Sequence, residues 1–291
     1  MTDIKLFRLN ESLATELVPA KPILEKHVQQ RFERNLEVLL GVRFVASEYS
    51  TGKKHLGRID SLGIDENSSP VIIEYKLHQN ENVINQGLFY LDWLLDHRAE
   101  FESIAKGKLR PGEEVDWSAP RVVCIAEDFT RYDVFAVDQI GRSIELIRYK
   151  LYEDLIVLEL VNRPQSGGKQ NSSLPSMTTA SGISKPLETA QEIIEALETK
   201  IMAFGDDVQR KQLKHYVAYR RLKNFASVEP FKGHVLVFLR VDPSTIQLEE
   251  GFSRDVTKIG HHASGDLELR LADLKDIERA MPLISLSYSS A

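Results

Sequence analysis

Cysteine is nearly absent from this chain: Cys124 stands alone among 291 residues. That excludes a disulfide framework and fits a reducing compartment. No apolar run approaches the roughly eighteen residues that a membrane helix needs, and the N-terminus lacks the basic, apolar and small-residue succession of a secretory signal. The expectation is a cytoplasmic protein with no membrane partner. No internal repeat is visible. Basic charge is not in excess either, since 37 Lys and Arg face 43 Asp and Glu for a net charge of -6. This balance argues against a protein that coats nucleic acid over its whole surface, while leaving room for a local basic patch. What is present is 42% hydrophobic and 27% charged residues, the composition of an ordinary globular protein long enough for two domains.

The most informative stretch is Gly57-Arg58-Ile59-Asp60 followed by Val71-Ile72-Ile73-Glu74-Tyr75-Lys76-Leu77. Residues along a strand alternate between faces, so Ile72, Glu74 and Lys76 share one side while Val71, Ile73, Tyr75 and Leu77 share the other. Burying an ion pair in an apolar strand is costly without a compensating metal or substrate. A strand over 56–64 carries Asp60, and the turn-forming residues Asp65 to Pro70 join it to the second strand as a hairpin does. The carboxylates of Asp60 and Glu74 then meet across neighbouring strands, where they and the Lys76 ammonium are within reach of one divalent cation. An edge-strand salt bridge is the plainer reading of Glu-Tyr-Lys.

Downstream, Ile84, Leu88, Leu91 and Leu95 recur at helical spacing and predict an amphipathic helix over 82–97. Gln86, Tyr90, Trp93 and His97 form a neighbouring stripe. Either this stripe lies beside a substrate, or Tyr90 and Trp93 are packing residues. Upstream, a helix over 22–40 has Leu24, Val28, Phe32, Leu36 and Leu39 on its apolar face, with Gly41 as its stop and Glu25, Glu33 and Glu37 off that face.

These motifs resemble those of the PD-(D/E)xK nuclease superfamily, in particular a branch of mismatch-type and uncharacterised endonucleases that reads Gly-Arg-Ile-Asp before the second motif. The proline of the signature is absent. Gln86-Gly87-Leu88-Phe89-Tyr90 is similar to the Gln-xxx-Tyr motif of one subgroup. The resemblance covers about residues 20–160 and implies a core of helix, three-stranded meander, helix and strand. It further implies Asp60 and Glu74 as ligands of Mg²⁺ or Mn²⁺, Lys76 as partner of the scissile phosphate or attacking water, and Gln86 and Tyr90 as accessory catalytic residues. A glutamate of the first helix completes the metal site in many members, which nominates Glu33, then Glu37. The main-chain carbonyl of Tyr75 is a further candidate ligand.

The remaining pattern predicts a buried strand over 121–126, a helix over 132–140 and strands over 143–152 and 155–161. This makes an α/β or α+β fold, a mixed sheet flanked by helices, over residues 1–161, and the resemblance implies that this sheet is restriction-endonuclease-like. Residues 162–186 are rich in Ser, Gly, Gln, Asn, Thr and Pro and read as a flexible linker that lets the halves reorient. Residues 187–291 form a second, small α+β domain: a helix over 187–202, strands over 234–241 and 266–271, and a short helix over 274–281. It resembles a domain of unknown function often joined to nuclease-like domains.

Between Val208 and Phe225 lie Arg210, Lys211, Lys214, Arg220, Arg221 and Lys223, with Tyr216, Tyr219 and Phe225 interleaved and no acidic residue. Such a stretch grips phosphates and stacks on bases, or else is a basic surface helix whose rings pack inward. The adjacent His261 and His262 have no third ligand placed by spacing and read as a glycine-framed turn. The expected function is a metal-dependent endonuclease acting on nucleic acid, DNA before RNA, with a homodimer as the candidate assembly. The alternative is an inactive nucleic-acid-binding or protein-interaction module on the same fold.

Overall fold

In the computed structural model, residues 4–21, 24–77, 82–110, 112–162, 186–259 and 263–291 are described. An N-terminal hairpin, β1 (Leu6–Asn10) and β2 (Leu13–Leu17), precedes two helices, α1 (Glu25–Glu33) and α2 (Leu36–Leu40). The single helix predicted over 22–40 is broken at Arg34 and Asn35, and Gly41 ends α2 at φ 64°, as its freedom from a Cβ allows. Then come β3 (Val42–Ser50), the short α3 (Gly52–His55), β4 (Arg58–Asp65), β5 (Pro70–Lys76), α4 (Val83–Asp96), α5 (Arg98–Ala105), β6 (Arg121–Ala126), α6 (Arg131–Gln139), β7 (Ile144–Tyr152) and β8 (Leu155–Leu160).

Strands β3 to β8 form one sheet in sequence order. The β3-β4-β5 meander is antiparallel, β5, β6 and β7 run parallel, and β8 returns antiparallel. The order helix, three-stranded meander, helix, strand is the one expected from the resemblance. Alternation along β5 and β6 sorts the two faces. Ile72, Val122 and Cys124 pack under α4 with Leu91 and Leu94, while Val71, Ile73, Tyr75, Val123 and Ile125 pack under α1 and α2 with Val28, Phe32 and Leu36. Gly87 lets α4 approach the sheet, because a Cβ there would lie 2.4 Å from Val122 Cγ1.

The second half comprises α7 (Pro186–Met202), β9 (Gln209–Gln212), β10 (Val217–Arg220), β11 (Asn224–Phe231), β12 (His234–Leu239), β13 (Ser253–Asp255), β14 (Leu267–Leu271) and α8 (Leu274–Ser289). Its strands form an antiparallel sheet in the order β13-β14-β12-β11-β10-β9. Ile193, Leu197 and Ile201 of α7 and Ile277 and Ile284 of α8 bury against one face. α8 runs well beyond the predicted 274–281 and through Pro282, because Ile277, Ala280, Ile284 and Ser287 keep its buried stripe continuous past the proline. The fold class is a mixed α+β architecture with one six-stranded mixed sheet flanked by helices and a second, antiparallel sheet. Residues 163–185, most of the expected linker, lie outside the described residues, as do His261 and His262. Among the described residues no helix is long and apolar enough to cross a membrane.

Candidate active site

Asp60 lies near the start of β4 and Glu74 near the end of β5, just beyond the last paired residues, Ser61 and Ile73. Their carboxylates continue the ladder in place of backbone carbonyls. Glu74 Oε1 accepts from the Asp60 amide at 3.2 Å, and Asp60 Oδ2 accepts from the Tyr75 amide at 2.9 Å. Each carboxylate is thus fixed by the other's strand through one oxygen, and among the described residues no side chain donates to Asp60 Oδ1 or Glu74 Oε2.

The electrostatics are those of an incompletely compensated pair. Burial and the neighbouring Asp60 charge push the Glu74 carboxyl up to about 9, and burial also raises Asp60 above its ordinary value. The Lys76 ammonium opposes both shifts, and its Nζ is held 3.3 Å from Glu25 Oε1.

The glutamate of α1 that reaches this cluster is therefore Glu25, whose charge contributes to raising both carboxyls. Glu33, the expected ligand, is turned elsewhere. Its Oε1 accepts from Ser61 Oγ at 2.7 Å and Gln29 Nε2 at 3.0 Å, on the side of the sheet where Tyr75 packs. Two turns of helix separate Glu25 from Glu33, and only the tilt of α1 on the sheet decides which reaches the strand ends. Glu37, the second candidate, is exposed on α2.

Tyr90 projects from α4 so that its hydroxyl accepts from the Arg58 amide at 3.2 Å, two residues before Asp60. Gln86, one turn earlier, is half-buried, and its Oε1 is buried with no hydrogen-bond partner among the described residues. Trp93 is core: it is 1% exposed, 5.7 Å from the Tyr49 ring and stacked on His97 at 4.8 Å.

A divalent cation fits this donor set in one respect and is underprovided in another. A buried and a half-buried carboxylate, each with an oxygen to spare and a raised affinity for protons, suit a hard cation. Among the described residues no group of three or more His, Cys, Asp or Glu side chains is arranged to hold a metal. Mg²⁺ tolerates this, since it retains several waters and takes one or two carboxylates plus substrate phosphate.

The basic, aromatic stretch of the second half does not form the expected surface. It folds as β9, β10 and the start of β11, and Tyr216, Tyr219 and Phe225 are 5%, 1% and 1% exposed. Tyr219 and Phe225 join the core under α7 and α8, and Tyr216 packs on the opposite face. Arg220 is buried against Glu145 at 2.7 Å, Lys211 Nζ donates to the Ala119 carbonyl and Lys223 Nζ to that of Val38. Arg221 pairs with Asp207 and lies over the Tyr288 ring. Lys214 alone of the six basic residues is exposed. The sequence pattern read as a gripping surface is largely an internal one, because strand alternation turns the rings inward, the first half supplies partners for Lys211, Arg220 and Lys223, and Glu198 and Asp207 of the second half take Arg210 and Arg221.

Three comparisons with known proteins bear on the chain. Residues 179–291 match the family described as "Domain of unknown function (DUF5655)". The chain is 27% identical to an "Uncharacterized protein" of Haemophilus influenzae, over 97% of this chain and 98% of that one. Over 45% of this chain and 50% of the other, it is similar to a solved structure described as a repair endonuclease from Pyrococcus abyssi, with 16% identity and a TM-score of 0.31.

Proposed function

We propose that the chain is a metal-dependent endonuclease that hydrolyses phosphodiester bonds in nucleic acid, with DNA as its substrate. The observation that carries this reading is the mutual anchoring of Asp60 and Glu74, which presents one carboxylate oxygen of each in a buried setting beside an ammonium group. Asp60 and Glu74 would hold Mg²⁺ or Mn²⁺, with the Tyr75 carbonyl as a further donor. When bound, such an ion supplies Lewis acidity and a water of lowered pKa.

The chain's own residues do the rest. Lys76, oriented by Glu25, stabilises charge developing on the phosphoryl oxygens at the strand ends. Tyr90 fixes the backbone at Arg58 and with it the entry of β4. Gln86 offers a carbonyl oxygen that no protein donor occupies among the described residues. Incubation of the pure protein with plasmid, single-stranded and branched DNA in Mn²⁺ tests the reading. Cleavage should vanish in Asp60→Asn and Glu74→Gln and fall by about a hundredfold or more in Lys76→Met. Cleavage by Glu74→Gln at the wild-type rate removes the assignment, and an inert wild type that still binds DNA favours a binding module.

A further inference from the structure

The loop that feeds β4 places a large, exposed apolar side chain at the left-handed position that caps α3. Leu56 is 85% exposed and sits at φ 51°, the left-handed region that costs a large side chain of the order of 1 kcal/mol and suits glycine. The loop around it is built, not slack. Thr51 N donates to the Gly57 carbonyl at 3.0 Å, Gly57 N donates to Thr51 Oγ1 at 2.8 Å, and Leu56 N donates to the Gly52 carbonyl at 3.0 Å. Beneath it, Gly57 lies against the rings of Tyr90 and Phe89, and Phe89 is itself 44% exposed.

Charge completes the surface. Lys53 and Arg58 flank Leu56 and are exposed, and the three residues line an open concavity of about 630 Å³ with Ser50, Gly52 and Gly57. Glu48, the acid nearest Arg58, lies 3.5 Å from it and is already paired with Lys26 at 2.7 Å. Leu56 is four residues from Asp60, so at most about 14 Å of chain separates the two.

An exposed apolar tip on a hydrogen-bonded loop between two cations is what a duplex meets when a side chain wedges into its base stack. We propose that Leu56 inserts into duplex DNA at a weakened base step beside the cut, with Lys53 and Arg58 on the flanking phosphates. The wedge thereby selects DNA that unstacks easily, such as a duplex carrying an unpaired nucleotide, over a fully paired one. It rests on the nuclease reading for its substrate but has a readout of its own.

The experiment uses the full chain, with Ca²⁺ in place of Mn²⁺ to limit cutting, and a duplex bearing 2-aminopurine next to one unpaired nucleotide. Wild type should bind it and raise its fluorescence severalfold, because the probe brightens on unstacking. Leu56→Gly relieves the backbone strain, so its melting temperature should not fall. Its affinity by anisotropy should stay within about threefold, while the fluorescence rise is lost. Lys53→Ala with Arg58→Ala should weaken binding and flatten its salt dependence by about one to two units of slope. An equal rise from Leu56→Gly overturns the wedge, as does a wild type that binds neither bulged nor fully paired duplex. A Leu56-dependent rise from a protein that never cuts in Mn²⁺ overturns the nuclease reading and leaves the wedge standing.

Discussion

Glu74 is 1% exposed and its carboxyl is raised from 4.5 to about 9, with burial the first cause and Asp60 the second. The direction of linkage follows. A carboxyl whose folded pKa is raised adds stability that is fully present below the unfolded value and is lost as pH rises through the folded one. The metal-free protein should therefore lose stability between about pH 4.5 and about pH 9, and Glu74→Gln should lose less over that window, as measured by denaturant midpoints at fixed ionic strength. Mn²⁺ should raise the wild-type midpoint more at the upper end of this range than at the lower, where protons compete for the same oxygens. An equal metal effect at both ends, or none in wild type beyond that in Glu74→Gln, would remove the cation from this pair. Gln86 adds a second test at this scale. Its buried Oε1, without a partner among the described residues, is a cost to the fold, so Gln86→Met should leave the melting temperature unchanged or higher while cleavage declines. A large drop in melting temperature instead would make Gln86 a packing residue.

Helix α4 brings Tyr90 to the Arg58 amide, and its closeness to the sheet depends on Gly87 over Val122. Gly87→Ala should gain from helix propensity but lose more from overpacking, because the Cβ meets the short branched side chain of Val122 at 2.4 Å, for a net loss of about 1–3 kcal/mol. Val122→Ala in the same chain should recover part of it, a coupling that a double-mutant cycle reads directly. The packing is also where sequence reading succeeded. The three-and-four spacing of Ile84, Leu88, Leu91 and Leu95 and the alternation of Val71 to Lys76 are local signals, and local signals found α4, β5 and the neighbouring carboxylates of Asp60 and Glu74. Strand β3 escaped because Val42 to Ser50 mixes polar and apolar residues, carries a register shift between Phe44 and Ala46, and has Glu48 at φ 52°. The expectation named Glu33, then Glu37, and passed over Glu25 for another reason: Glu25 and Glu33 both lie off the apolar face of α1, and which one meets Lys76 depends on how the helix lies across the sheet. Leu56, likewise, is unremarkable in the sequence, and only its backbone angle and exposure mark it out.

The two halves share a buried polar seam. Glu145 receives Arg121 from its own half at 2.6 Å and Arg220 from the other at 2.7 Å, all three being 3% exposed or less, and Arg121 also reaches Asp65. The β4–β5 turn is gripped in the same way: Asn67 Oδ1 accepts from Tyr216 Oη and Asn224 Nδ2, and Glu66 accepts from Arg240 and the Asn224 amide. This replaces the picture of halves that reorient freely, and it explains why the Val208–Phe225 pattern differs from a gripping surface, since the cross-half partners of Lys211, Tyr216, Arg220, Lys223 and Asn224 lie between 75 and 185 residues away in the chain. Removing one member of a buried charge cluster costs about 3–5 kcal/mol, so Glu145→Ala, which leaves Arg220 without its carboxylate and Arg121 with Asp65 alone, should loosen the seam. Trp93 and Trp117 are the only tryptophans and both lie in the first half, whereas α7 and α8 supply much of the helix signal of the second. Wild type should accordingly unfold in denaturant with coincident fluorescence and far-ultraviolet circular-dichroism transitions, and Glu145→Ala should separate them. Coincident curves in both proteins at an unchanged midpoint would mean that the seam contributes nothing to holding the halves together.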